Sequence, residues 1–198
     1  MLDIGCWIGW YEYFMVKKGC ESIVAIDIDI NALRKAKENI SALNCDFVRA
    51  SAINLPFEPQ SFDAVSMWDV LEHLPVNSED DCFSQVNRLI SKDGLVLISV
   101  PNSHFLSRIL DPAYFVIGHR HYSYFGIQKF MQKTGFEIHA AEYRGGIVEA
   151  LSVILLYFCK LFLNIEIPFK SAIEYLRDKE YQNKGFETLF IEAIKTSG

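Results

Sequence analysis

The sequence predicts an α/β fold centred on a mostly parallel sheet, and three observations predict it. Short apolar runs alternate with segments of helical period through residues 1–100, the pattern in which right-handed crossovers join parallel strands. Two of the runs, Ile23-Val24-Ala25-Ile26 and Leu95-Val96-Leu97-Ile98, are continuously apolar, as strands buried on both faces are. The first run, Leu2-Asp3-Ile4, opens into a turn containing Gly5 and Gly9, small residues that let the backbone approach a ligand at a helix start.

The elements follow in order. Leu2 to Ile4 is a strand, and residues 10–18 read as a helix stopped by Gly19. Ser22 to Ile28 is β-rich. Asn31 to Leu43 places Leu33, Ala36, Ile40 and Leu43 at helical spacing, with Asp29 or Asn31 as its cap. Asp46 to Ala50 and Phe62 to Met67 are strands, and residues 69–74 and 79–91 read as helical. Leu95 to Val100 is a fifth strand, preceded by the turn Lys92-Asp93-Gly94 and stopped by Pro101. Phe125 to Thr134 is a helix with Ser123 or Tyr124 near its cap. Phe136 to Tyr143 and Glu187 to Lys195 complete seven strands. Between these last two lies a helical insertion, residues 146–184, within what reads as a single domain over 1–198.

Composition narrows the function. The 198 residues are 51% apolar and 22% charged, which describes a globular chain. A net charge of −6 without a basic run argues against a broad nucleic-acid footprint. Five cysteines, an odd number with no C-x-x-C pair, read as reduced cytoplasmic thiols. No basic flank or apolar h-region precedes the first strand, so no signal peptide is expected. A strand directly after Met1 implies a fragment or a late translation start.

Ligands of open α/β sheets bind beyond the carboxyl ends of the strands, and candidate residues lie there. Leu2-Asp3-Ile4-Gly5-Cys6-Trp7-Ile8-Gly9 is a strand followed by a tight turn. It is not a dinucleotide fingerprint, because Trp7 occupies the second glycine position, which disfavours a nicotinamide-dependent oxidoreductase. Asp27, at the end of the second strand, is placed to accept from ribose hydroxyls or to serve as a loop acid.

The order of these segments resembles a known family. Leu-Asp-Ile-Gly-Cys-x-x-Gly, Ala25-Ile26-Asp27-Ile28, Asn54-Leu55-Pro56-Phe57, Ser61-Phe62-Asp63-Ala64-Val65, Val70-Leu71-Glu72-His73-Leu74 and Asp93-Gly94-Leu95 through Pro101 run as in class I S-adenosylmethionine-dependent methyltransferases. The branch containing the ubiquinone-biosynthesis O-methyltransferases is the most similar. Residues 114–143 resemble it too, with Arg120-His121-Tyr122-Ser123 before a helix ending in Gly135-Phe136. The resemblance implies a Rossmann-like, mostly parallel seven-stranded sheet with an antiparallel last strand. It implies S-adenosylmethionine as cofactor, with Asp3, Gly5, Cys6 and Gly9 around its methionine part. Asp27 matches the ribose acid and Ile28 the residue packed on adenine. Ser51 and Ala52 flank adenine, and Trp68 faces the cofactor near the methyl group. The expected reaction is methyl transfer to a small, hydrophobic acceptor, with O-methylation favoured. The alternative is a degenerate, non-catalytic module of the same fold.

Two departures bear on activity. Trp7 replaces the usual middle glycine, which is tolerable with a negative φ and a ring turned out of the pocket. The family's helix before the first strand is missing, which should expose apolar sheet. A hydroxyl acceptor must lose a proton, and His73, His119 and His121 are the candidate bases; a solvated loop is the plainer reading of the last two. Asp69, Glu72 and His73, read as one helix face, resemble the metal site of related O-methyltransferases and would suit a divalent ion; the commoner alternative is a family helix whose Glu72 and His73 orient loops without a metal.

The segment Ala150 to Leu163 is apolar on nearly all faces, with Lys160 its only charge. It reads as a core or homodimer helix, as a membrane-surface or lipid-substrate lid peripheral to the inner face of a membrane, or as a short span.

Overall fold

The computed structural model describes residues 1–40 and 44–196. Seven strands form one sheet: β1 (Leu2–Ile4), β2 (Ile23–Asp27), β3 (Cys45–Arg49), β4 (Phe62–Trp68), β5 (Ile90–Pro101), β6 (Phe136–Arg144) and β7 (Thr188–Lys195), in the order β3-β2-β1-β4-β5-β7-β6. β1 is central and pairs in parallel with β2 (Leu2 opposite Val24) and with β4 (Asp3 opposite Ser66). The mostly parallel sheet with a late antiparallel strand is the architecture the sequence predicts, with β7 inserted between β5 and β6.

The chain folds as two compact units. The first holds residues 1–98, 128–140 and 191–198, the second residues 99–127 and 141–190. In the first, α1 (Trp10–Lys17) and α2 (Ile30–Asn39) cover β2 and β3 through Met15, Val16, Leu33, Ile23 and Ala25. Asp29 caps α2 by accepting from Asn31 N at 2.8 Å. The last residue expected in that helix, Leu43, lies outside the described residues. α3 (Glu79–Leu89) buries Cys82, Phe83, Val86 and Leu89, and Cys82 Sγ lies 3.8 Å from Met67 Sδ of β4. Every residue of β1 is buried, because a central parallel strand is covered on both faces.

The second unit contains α4 (Phe105–Leu110) and α5 (Pro112–Ile117), two helices not expected from the sequence, together with α7 (Ile147–Phe158), a π-helical turn (Cys159–Leu163) and α8 (Lys170–Tyr181). Between them in sequence, α6 (Tyr124–Lys133) starts with Gly126 N donating to Ser123 Oγ at 3.1 Å. Among the described residues, no helix is long and apolar enough to cross a membrane, so the short-span reading of Ala150 to Leu163 does not hold.

One local expectation holds and one is corrected. β5 is longer than expected, running from Ile90 through Pro101, but the expected turn at Lys92-Asp93-Gly94 is present within it. Asp93 takes φ +60, and a Cβ on Gly94 would fall 2.5 Å from Ile90 Cγ1, so the chain folds back tightly at the polar triplet. Pro101 is its final residue, where a missing N–H breaks little pairing. Residues 69–74 are not one helix: only Leu71–His73 form a 3₁₀ turn, and Asp69 before it is left-handed at φ +52.

Candidate active site

The site starts with a bend pinned to the neighbouring strand. Gly5 N and Cys6 N both donate to Ile26 O, at 2.8 and 3.0 Å. Trp7 N donates to Asp27 Oδ2 at 2.9 Å, and Asn39 Nδ2 of α2 donates to Ile8 O at 2.9 Å. Gly5 and Gly9 both have φ +82, and a Cβ on Gly5 would fall 2.5 Å from Val70 Cγ2. Glycine is therefore required by backbone and space alike. Gly9 caps α1 without a side-chain acceptor, leaving the helix's opening amides to a ligand.

Trp7 departs from the expectation of a negative φ. It sits at φ +47, a left-handed conformation costly for a bulky residue. The bend must follow the path a glycine would take, and the ring is 63% exposed at the cavity rim.

Asp27 turns toward this bend. Its Oδ1 accepts from Asp29 N at 2.8 Å while Oδ2 holds Trp7 N. Beyond the strand ends lies a cavity of about 560 Å³, entirely within the first unit, lined by Gly5, Trp7, Asp27, Ile28, Ser51, Ala52, Trp68, Asp69 and His73 among others. Ser51 is oriented by a short bridge to Asn54, whose N–H donates to Ser51 O at 3.0 Å. Of the residues predicted around a cofactor, Gly5, Asp27, Ile28, Ser51, Ala52 and Trp68 line this cavity. Asp3 and Cys6 are buried beneath the bend, and Gly9 stands at the start of α1.

Under the bend lies a pair the sequence did not flag. Asp3 accepts a hydrogen bond from Ser66 Oγ of β4, its register partner. The carboxyl of Glu12, from α1, faces Asp3, and both side chains are buried. Burial, then the Glu12 charge, pushes Asp3 well above the usual carboxylate range. Burial raises Glu12 too. Two buried carboxyls facing one another disfavour ionisation of both at once. Glu12 occupies an inward position of α1, and that inward phase is the one signal the sequence carried for it. Tyr11 beside it packs against Trp68 with ring centroids 5.2 Å apart and the planes tilted by 59°.

Of the predicted bases, His73 is part of the first unit and His119 and His121 of the second. His73 lines the cavity of the first unit. His119 and His121 belong to the second, where Asp111 brings them together: His119 Nδ1 lies 2.8 Å and His121 Nε2 3.5 Å from Asp111 Oδ2. Asp111 also caps α5 by accepting from Ala113 N at 2.8 Å. Burial works to raise its carboxyl, but the hydrogen bond from His119 and the Ala113 amide outweigh it and hold the pKa below the ordinary value. Burial lowers His121 in turn. Asp111 was missed in the sequence, although Asp-Pro is a recognisable cap-and-start signal.

The proposed metal ligands do not fit as a set. Helical register was to put Asp69, Glu72 and His73 on one face. The left-handed Asp69 breaks that register, leaving Asp69 and His73 on the cavity wall and Glu72 buried. Among the described residues these three do not gather as metal donors.

A sheet ordered 3-2-1-4-5-7-6, with a glycine bend after its central strand and an acid at the tip of the next strand, defines the class I methyltransferase architecture. The family model described as "Methyltransferase domain" matches residues 1–141, and the chain belongs to that family. It is 29% identical over 101 residues to phosphoethanolamine N-methyltransferase 1 of Arabidopsis thaliana, a match spanning 50% of this chain and 20% of that protein. It is 26% identical over 109 residues to the ubiquinone biosynthesis O-methyltransferase of Neisseria meningitidis, spanning 52% and 44%. The structure of Haemonchus contortus phosphoethanolamine N-methyltransferase 2 in complex with S-adenosyl-L-methionine superposes with a TM-score of 0.71. It has 22% identity, and the match covers 100% of this chain and 48% of that one. The chain spans less than half the length of these curated relatives.

Proposed function

We propose that the chain transfers a methyl group from S-adenosylmethionine to a hydroxyl of a small, hydrophobic acceptor. One observation carries the reading: a single cavity joins the glycine bend, the acid after β2, the Ser51-Ala52 pair after β3 and His73 after β4. Both Asp27 oxygens are oriented by backbone amides, and each keeps a lone pair for a ribose hydroxyl. Ile28 and Ala52 offer apolar contact for adenine, and Ser51 Oγ is an acceptor for its amino group. The bend and the amides at the start of α1 suit the methionine carboxylate. The cofactor, when bound, supplies a methyl group on a positively charged sulfur.

The protein's part is positioning and proton removal. Trp68, Val70, Leu74 and Pro75 give the wall near His73 an apolar character, which favours a hydrophobic acceptor and limits water. His73 stands on that wall to take the hydroxyl proton as the acceptor oxygen closes on the methyl carbon. The five free cysteines support a reducing, cytoplasmic setting.

A second reading, a non-catalytic module of this fold, is favoured by the strained Trp7 at the cavity rim. Isothermal titration with S-adenosylmethionine separates the two: low-micromolar binding is expected, and no binding rejects the enzyme. In a methyl-transfer assay with hydroxylated aromatic acceptors, His73→Ala is expected to lower kcat by roughly 10²–10⁴ while leaving cofactor affinity unchanged. An unchanged kcat removes His73 as the base.

A further inference from the structure

Residues 102–122 of the second unit fold into a basin that the methyl-transfer reading does not use. Asp111 caps α5 and Pro112 starts it, and Gly118, left-handed at φ +69, ends it. His119 N then donates to Ala113 O at 3.2 Å. The chain returns beside the end of β5, where Tyr122 N donates to Pro101 O at 2.8 Å and Ser103 N to Tyr122 O at 2.9 Å. A cavity of about 680 Å³ opens in this fold-back, and every residue lining it lies between Ser103 and Tyr122. It belongs wholly to the second unit.

The lining is basic and aromatic. Arg108 in the last turn of α4, Arg120, His119 and His121 bring nitrogens to the wall, Tyr114 and Tyr122 bring rings, and among the described residues no acid lines it. Arg108 Nη2 donates to Tyr114 Oη at 3.1 Å, and its guanidinium lies 5.4 Å from that ring's centroid. The Arg120 guanidinium lies 5.9 Å from the centroid of Tyr122. Each cation is thus set against a ring, which holds it in place without neutralising its charge.

Two acids stand behind this lining, and both are engaged. Asp111 accepts from Ala113 N and pairs with His119 and His121. Glu187 accepts from Ser107 Oγ, and burial raises it to about 7. Burial also holds His121 below the ordinary imidazole value, so the permanent charge on the wall is that of the two arginines. The His121 side chain is 2% exposed, and its Nδ1 has no hydrogen-bond partner among the described residues. A ligand oxygen would satisfy that buried nitrogen.

The donors select the ligand. A carboxylate offers only two oxygens. A phosphate monoester offers three terminal oxygens and up to two charges, enough to meet two guanidiniums and an imidazole together. The phenol rings suit an organic group on the ester oxygen.

We propose that this basin binds the phosphate monoester of a small organic molecule, with Arg108 and Arg120 on its terminal oxygens. The site does not rest on the methyl-transfer reading, and its test uses no activity.

The full chain is titrated calorimetrically with phenyl phosphate, inorganic phosphate and benzoate at neutral pH, while the ring protons of His119 and His121 are followed by NMR. Phenyl phosphate is expected to bind and to move both sets of ring signals, with benzoate and inorganic phosphate each weaker by about tenfold or more. Arg108→Gln with Arg120→Gln is expected to weaken phenyl phosphate by about 10- to 100-fold, with circular dichroism unchanged. Arg108→Lys keeps the charge without the fork and should fall in between. Lys170→Gln with Lys179→Gln removes two charges from α8 of the same unit and should leave binding unchanged. Absence of phenyl phosphate binding at millimolar concentration overturns the proposal, as does binding that leaves both histidines unmoved or that survives the double glutamine variant. Benzoate binding as tightly overturns the phosphate, and inorganic phosphate binding as tightly overturns the ester.

Discussion

The backbone N–H of Trp7 donates to Asp27 Oδ2 at 2.9 Å, so the acid at the end of β2 is fixed on the bend after β1 before any ligand arrives. Asp27→Ala removes the acceptor for two backbone amides along with the proposed ribose contacts. Charge-assisted hydrogen bonds contribute about 1.5–3 kcal/mol each, so S-adenosylmethionine affinity should fall by roughly 10- to 100-fold in isothermal titration. Asp27→Asn should fall less, since one oxygen remains. Unchanged affinity in Asp27→Ala would move the cofactor elsewhere.

Trp7 has the opposite sign. A bulky left-handed residue costs about 1–2 kcal/mol, and its ring is mostly in solvent, so little packing is lost on removal. Glycine gives back about 0.5–1 kcal/mol through its freer unfolded chain. Trp7→Gly should therefore raise the melting temperature by about 1–4 °C and leave cofactor affinity equal or tighter. A lower melting temperature would mean the indole packs in a way its exposure does not indicate.

Asp3 and Glu12 make stability depend on pH. Both carboxyls are raised in the folded chain, so the folded state retains protons that the unfolded state releases. The associated stability is present below the ordinary carboxylate pKa and is lost as pH rises toward the raised folded values. Glu12→Gln removes the repulsion while keeping the shape. Its melting temperature should exceed that of the parent chain at pH 8 and converge with it near pH 4. A constant difference across pH would show that the two groups do not titrate as a pair.

Glu187 does the same in the second unit. Burial raises it to about 7, against the lowering effect of the Ser107 hydrogen bond, with Glu149, Asp111 and Glu180 adding to the rise. Stability from this group is lost between its unfolded value and about pH 7. Glu187→Gln should gain on the order of 2 kcal/mol relative to the parent chain on going from pH 4 to pH 8. Parallel thermal-melt profiles of the two proteins would reject this assignment.

Asp111→Ala removes the cap of α5 and the partner of two histidines. Cap loss costs about 1 kcal/mol, which lowers the melting temperature by about 2–4 °C. His121, no longer facing a carboxylate, should titrate at lower pH, as read from its ring proton shifts by NMR. An unmoved His121 would leave Asp111 as a cap alone.

The sequence by itself determined the strand order's raw material and the cofactor end of the site. Continuous apolar runs report burial on both faces, and Gly5, Asp27 and Ser51 stand at strand ends because local chain chemistry places them there. The sequence misjudged residues 69–74. A 3₁₀ turn shares its local signals with a helix, and packing against neighbours decides between them. It could not show that Glu12 meets Asp3, that Asp111 gathers His119 and His121, or that the apolar stripe of α7 faces outward. Each of these depends on which faces of separate elements are brought together. Periodicity along a chain fixes a face, and only tertiary packing decides what that face meets.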